Sequence, residues 1–224
     1  MHHTHTAGQL CGFFFFLIFY DILYLMNPQT FIFYGRSGCG KGTQTDLLIE
    51  YLKKSDPKRK VLYAETGDLL RAFAAQDGYS NKLVRNVLDS GGLLPEFMPI
   101  FVWSRFLAEN LTDNEHLVFD GVCRRTPEAP ILDSALKFYK REKPIVILIE
   151  VSHDWAKARL LARHRSDDDP AEIERRLAWY EKDVIPTMKF FENNPDYRFL
   201  KINGEQEIEK VHQEIIEKIK YGIL

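Results

Sequence analysis

The sequence predicts an α/β protein built on a doubly wound, five-stranded parallel sheet flanked by helices. Three observations predict it. Short runs rich in Val, Ile, Leu, Phe and Tyr alternate along the chain with longer segments of helical period. Those runs lack strict apolar–polar alternation, as expected of strands covered on both faces. The first of them also leads through Gly35, Gly38, Gly40 and Gly42 directly into a helical segment.

The predicted strands are Thr30–Tyr34, Lys60–Ala64, His116–Asp120, Pro144–Val151 and Tyr197–Ile202, each apolar enough to be buried on both sides. After the first strand, Thr43–Lys53 reads as a helix that ends in "KKSDPKRK", an exposed basic turn expected to be a solvated loop. Helical stretches are expected over Asp154–Arg163 and Glu172–Glu192. The closing segment Gln206–Tyr221 carries Ile208, Val211, Ile215 and Ile219 at three- or four-residue steps, the mark of an amphipathic helix. Ligands of such sheets bind beyond the carboxyl ends of the strands.

At 224 residues, 45% hydrophobic and 28% charged, the chain suits one globular domain with a sizeable core. A formal charge of −2 gives no general attraction to nucleic acid or anionic membranes, so any anion site must come from local charge. The cysteines, Cys11, Cys39 and Cys123, are odd in number and too far apart for a zinc motif. They read as free thiols in a reducing compartment, and the expected location is cytoplasmic. Residues 1–25 do not match the rest. "CGFFFFLIFYDILYLM" is apolar but interrupted by Asp21, shorter than a spanning helix, and without the basic flank of a secretory signal. The expected reading is an upstream extension before a functional start at Met26; the rival is a membrane anchor over residues 10–26.

Gly35-x4-Gly40-Lys41 is the spacing of a phosphate-binding P-loop. Its glycines let successive backbone N–H groups point inward, the helix N-terminus adds its positive end, and Lys41 supplies a point charge for the outer phosphates. The general motif has Ser or Thr directly after the lysine. Here Gly42 takes that place and Thr43 follows.

That variant, "GKGTQ", is the form of nucleoside monophosphate kinases, and from this point the chain resembles the adenylate kinase family. "TGDLLR" (residues 66–71) resembles the opening of that family's monophosphate-binding segment, and "GGLLP" (91–95) the turn whose backbone lines the acceptor base. "DGVCR" (120–124) stands where the family usually has Asp-Gly-Phe-Pro-Arg. "RLLARHRSDDDPAEIERRL" (159–177) resembles its lid region and "NGE" (203–205) the last loop beside the donor adenine. The matches keep the family's order. They imply one kinase domain over 26–224, with a monophosphate-binding segment at 66–95 and a short lid at 163–170.

The resemblance implies a Mg²⁺-dependent phosphotransferase that moves the γ-phosphoryl of ATP to a nucleoside monophosphate, most simply AMP. ATP would be held by Gly35, Gly38, Cys39, Gly40, Lys41, Gly42, Thr43, Arg159 and Gly204, with Arg159 packed on the donor adenine. The acceptor would be held by Thr66, Arg71, Gly91, Leu93, Leu94, Gly121, Arg124 and Glu128. Lys41, Arg124, Arg163, Arg165 and Arg176 would neutralise the transferring group, and Asp120 would hold Mg²⁺ through water. Asp167 and Asp168 match paired lid acids, Asp169 reads as an acidic helix start, Arg125 and Arg175 as surface residues, His153 as a helix-entry residue and His164 as a lid side chain. The lid is too short for a β-hairpin and has no cysteines for zinc. A monomer is expected.

Glu128 departs from the pattern. It falls where many members have a glutamine that reads adenine, and an ionised carboxylate accepts hydrogen bonds but does not donate them. It would suit guanine or the cytosine amine, unless the site is dominated by backbone. The alternatives are therefore a kinase for GMP, CMP or UMP, or a nucleotide-binding scaffold without catalysis.

Overall fold

Strands β1 (Thr30–Gly35), β2 (Val61–Glu65), β3 (His116–Asp120), β4 (Ile145–Glu150) and β5 (Arg198–Asn203) form one sheet in the order β2-β3-β1-β4-β5. Every pairing is parallel. The computed structural model describes residues 27–163 and 169–221. The expected extension and the rival anchor lie outside the described residues, as do His164, Arg165, Asp167 and Asp168. Among the described residues no helix is long and apolar enough to cross a membrane.

Both faces of the sheet are covered, which is why the strands read as unbroken apolar runs. Successive side chains point to opposite faces. Phe31 and Phe33 face helices α1 (Lys41–Ser55) and α9 (Ile208–Tyr221), packing with Leu48, Leu52, Val211 and Ile215. Ile32 and Tyr34 face the other way, toward Trp103 and Leu107 of α4 (Phe97–Asn110), Leu132 of α5 (Ala129–Phe138) and Phe191 of α8 (Ile185–Glu192). Fully burying each such side chain is worth about 1.5–3 kcal/mol. Between β2 and α4 stand α2 (Thr66–Ala74) and α3 (Tyr79–Asp89), joined to α4 by a small core of Leu70, Val84, Leu94, Met98 and Val102.

The stretch expected to be helical over Glu172–Glu192 is helical throughout and contains a π turn. Helix α7 (Pro170–Trp179) runs into a π-helical turn, Tyr180–Val184, before α8 begins. Pro186 is the reason: it has no N–H to continue the α ladder, and the Ile185 N–H reaches back five residues to the Tyr180 carbonyl instead. Helix α6 (His153–Arg163) packs against α7 through Ala156, Leu160, Ile173 and Leu177.

The "KKSDPKRK" turn is solvated at its lysines, but Asp56 and Arg59 fold inward. They pair with each other at 3.2 Å, and Asp56 lies 3.5 Å from Nε2 of the fully buried His116. The His116 Nδ1 accepts the Gln29 backbone N–H, which fixes this imidazole as a neutral structural side chain. Burial, with Arg59 beside it, pushes it down to about 4. This cluster closes the amino end of the sheet, opposite the crevice.

Candidate active site

The cradle begins where β1 ends. Gly35, Gly38 and Gly40 all have positive φ, at 150°, 85° and 93°. At Gly38 the space is closed as well: a Cβ would sit 2.8 Å from the Leu160 side chain and 2.9 Å from the Ala156 carbonyl of α6. Gly40 is the N-cap of α1, so the first N–H groups of that helix turn into the loop without a side-chain cap, an arrangement suited to an anion. Lys41 folds back over the loop, donating from Nζ to the carbonyls of Gly35 at 2.8 Å and Arg36 at 3.2 Å. Gly42 and Thr43 are exposed on the first turn of α1. Cys39 is buried, and burial raises its thiol despite the neighbouring Lys41, so it is packing rather than a reactive thiolate.

The second wall is the turn after β3. Register places Asp120 opposite Phe33 of β1 and Glu65 of β2, at the same sheet edge as the cradle. Asp120 is 7% exposed. Burial raises its carboxyl, while Lys41 and Arg124 both pull it down. Gly121 has φ 67°, and Arg124 lies across it: a Cβ there would meet the guanidinium at 2.9 Å. Arg124 Nε donates to the Gly121 carbonyl at 3.2 Å, and its side chain is otherwise exposed to the crevice. Cys123, buried and at φ 52°, is held by the Tyr34 hydroxyl, which donates to its carbonyl at 3.1 Å.

Glu128 is 2% exposed at the end of a single 3-10 turn, Thr126–Glu128. Its carboxylate accepts the Arg125 backbone N–H at 3.0 Å, so one oxygen serves as a cap. Burial outweighs the nearby arginines and pushes the carboxyl from 4.5 up to about 7. The folded protein therefore keeps a proton that the unfolded chain has lost between those values. Stability falls as pH rises through that window, and the whole cost is carried above it. Glu128→Gln is expected to stabilise the protein by about 3 kcal/mol at pH 8 and to change little near pH 4.5. Denaturant unfolding at both pH values checks this; equal shifts would remove the buried charge as the cause.

On the acceptor side, Thr66 opens α2, 4% exposed, and its buried hydroxyl lacks a hydrogen-bond partner. Arg71, a turn later, donates to Glu65 at 3.1 Å and to Asp68. Gly91 has φ 63°, and Leu94 packs beneath the turn at 7% exposure, with Leu93 half-buried beside it. Arg175, exposed as expected of a surface residue, and Arg125, half-buried, each hold a partner. Arg175 donates to the Ser90 carbonyl at 2.8 Å while Glu172, its partner at 2.9 Å, lies against Gly91. Arg125 pairs with Glu96 at 2.8 Å. Both tie the "GGLLP" turn to its surroundings, one to α7 and one to the turn after β3.

On the donor side, the Arg159 guanidinium lies 4.5 Å over the Trp155 ring, a stacking partner that single-residue reading missed although the two stand one helical turn apart. Gly204 is buried, and a Cβ there would come within 2.6 Å of both Ile149 and Val151. Arg163 ends α6, exposed, and Arg176 stands half-buried on the facing α7. His153, expected only to begin its helix, also reaches Glu174 of α7 at 3.4 Å, and Lys157 pairs with the same carboxylate at 2.5 Å. Arg36, in the same loop as Lys41, was not singled out by its sequence; its guanidinium lies over the Tyr180 ring.

A glycine cradle at a switch point of a parallel sheet, with Lys41, Asp120 and Arg124 electrostatically coupled beside it, defines a P-loop nucleotide phosphotransferase. Comparison with known proteins narrows the class. The family model described as adenylate kinase matches residues 33–195. An adenylate kinase of Nautilia profundicola is 31% identical over 194 residues, covering 86% of this chain and 96% of the relative. Adenylate kinase 1 of a Nostoc species is 30% identical over 184 residues, covering 82% and 95%. The chain belongs to the adenylate kinase family and is a nucleoside monophosphate kinase.

Proposed function

We propose that the protein transfers the γ-phosphoryl group of ATP to AMP, giving two molecules of ADP. The observation that carries this reading is the meeting, at one sheet edge, of the Gly35–Lys41 cradle and the Asp120–Arg124 turn. The unpartnered buried hydroxyl of Thr66 supports it, since a buried donor without a partner costs about 1–3 kcal/mol unless a ligand supplies one. In this reading the segment 66–95 holds the acceptor and residues 163–170 form the lid.

The acceptor oxygen already belongs to a phosphate, so no strong general base is required. Catalysis rests on position and on neutralising charge. Lys41 and the α1 N-terminus hold the donor phosphates, with Gly35, Gly38, Cys39, Gly40, Gly42 and Thr43 shaping the cradle. Arg71 and Arg124 grip the acceptor phosphate, Arg71 exchanging its carboxylates for it. Arg163, Arg165 and Arg176 would neutralise the group in transit. Arg159, stacked on Trp155, offers its other face to the adenine, beside Gly204. The backbone of Gly91, Leu93 and Leu94 lines the acceptor base.

Family members use Mg²⁺ with ATP. The residues suit that ion: Asp120 is one buried carboxylate whose charge burial disfavours, and among the described residues no cage of three or more ligating side chains forms. A hard cation that keeps most of its waters and is shared with substrate phosphates needs no more. Asp120 would hold it through water, and the ion would neutralise the donor phosphates. The buried thiols Cys39 and Cys123 suit a reducing, cytoplasmic setting.

Glu128 bears on the base. Near neutral pH its carboxyl is shared between acid and carboxylate, and the acid form donates as well as accepts, as a glutamine amide does. That favours adenine over the guanine reading that a fully ionised group would support. A coupled assay of ADP formation from Mg-ATP with AMP, GMP, CMP, UMP and dTMP is expected to give AMP the highest kcat/KM. A different best acceptor would overturn the base, and no turnover with any would overturn the activity.

A further inference from the structure

Arg36 occupies the second position of the phosphate loop, and none of the roles above uses it. Its backbone and side chain face two parts of the site at once. The carbonyl accepts Lys41 Nζ at 3.2 Å and the Cys39 N–H at 3.1 Å, so the residue sets the floor on which the lysine rests. The guanidinium leaves the loop, lies 4.6 Å over the Tyr180 ring and pairs through Nη2 with Glu181. Its side chain is 16% exposed, whereas Glu181 is 50% exposed.

Tyr180 and Glu181 open the π-helical turn, and the Tyr180 N–H donates to the Arg176 carbonyl. One side chain therefore joins the loop that holds Lys41 to the helix turn that carries Arg176. The contact has a cost: Nε and Nη1 of Arg36 are buried without hydrogen-bond partners. A simple loop residue has no reason to bear it. Stacking on Tyr180 and the Glu181 pair offset it, and both partners stand at the start of the π turn.

We infer that Arg36 is a positioning residue, clamping the phosphate loop to the Tyr180–Glu181 turn so that Lys41 and Arg176 keep a fixed separation across the transferring group. The inference rests on the phosphotransfer reading. In that reading Lys41 holds the donor phosphates without the clamp, and only the transition state needs Lys41 and Arg176 at once, so the loss falls on kcat and not on KM.

The test is steady-state kinetics of the full chain with Mg-ATP and its best monophosphate, using Arg36→Ala, Arg36→Lys, Glu181→Gln and the Arg36→Ala/Glu181→Gln double variant. Arg36→Ala is expected to lower kcat by about 10–100-fold, with both KM values within about threefold and the thermal midpoint nearly unchanged. Arg36→Lys, which keeps the charge and loses the planar stack, should recover part of that rate. Glu181→Gln alone should cost about two- to fivefold in kcat and add nothing on the Arg36→Ala background. An unchanged kcat in Arg36→Ala, a loss confined to KM, or additive losses in the double variant would overturn the clamp. If Arg36→Ala does not fold, Glu181→Gln decides alone, an unchanged kcat counting against the clamp. Inactivity of the unaltered protein would instead sink the phosphotransfer reading.

Discussion

Arg124→Ala is expected to lower kcat/KM for the acceptor by about 10²–10³-fold, the range seen when one preorganised donor to developing charge is removed. The side chain is already aimed: it lies across Gly121, with Nε held by the Gly121 carbonyl and the rest of the guanidinium exposed to the crevice. Little freedom remains to be lost when a phosphate arrives. Arg124→Lys should recover little, because a point charge cannot reproduce the planar fork, nor its contact with the glycine backbone. Arg125→Ala makes the control. Its guanidinium is spent on Glu96, so its loss should cost less than about tenfold and act on the position of the "GGLLP" turn. Steady-state kinetics of both variants would decide; equal losses would refute the separation of roles.

Cys123→Pro is expected to destabilise the protein by about 4 kcal/mol or more and to abolish transfer, although it restores the residue that the family usually has there. Proline locks φ near −65°, and this position sits at φ 52°. The turn would have to be rebuilt. That would break the buried bond from the Tyr34 hydroxyl to the Cys123 carbonyl and move Arg124, the next residue. Cysteine at positive φ is itself an uncommon choice, tolerated here because the thiol is fully buried among apolar neighbours. Circular dichroism on denaturation, together with the coupled assay, would show it. A Cys123→Pro protein as stable as the parent would mean that the turn adopts the family's backbone without difficulty.

Much of the site was legible because it is local in the chain. Gly35 to Lys41 must form a cradle once a strand precedes it and a helix follows, and Asp120 must stand at its lip once β3 pairs with β1. Thr66 and Arg71 lie one and a half turns apart on α2, and that spacing is covalent. The strands were readable for a similar reason. Burial on both faces demands continuous apolar residues, as Phe31 to Tyr34 and Ile145 to Ile149 supply. The helical stretch expected over Glu172–Glu192 formed; the apolar period did not show the π turn inside it, which Pro186, with no N–H to give, accounts for.

What the chain determined by itself is the parallel sheet, the cradle and the order of the candidate site residues, all set by local period and short covalent spacing. Tertiary structure alone decided the state of particular side chains. Burial made Glu128 a partly protonated cap, where its bare sequence read as an accepting carboxylate. The fold brought Arg125 to Glu96, Arg175 to the Ser90 carbonyl and Arg36 onto the Tyr180 ring, all partners distant in the chain. A charge's partners and its desolvation depend on what the fold brings beside it, and no local spacing carries that information.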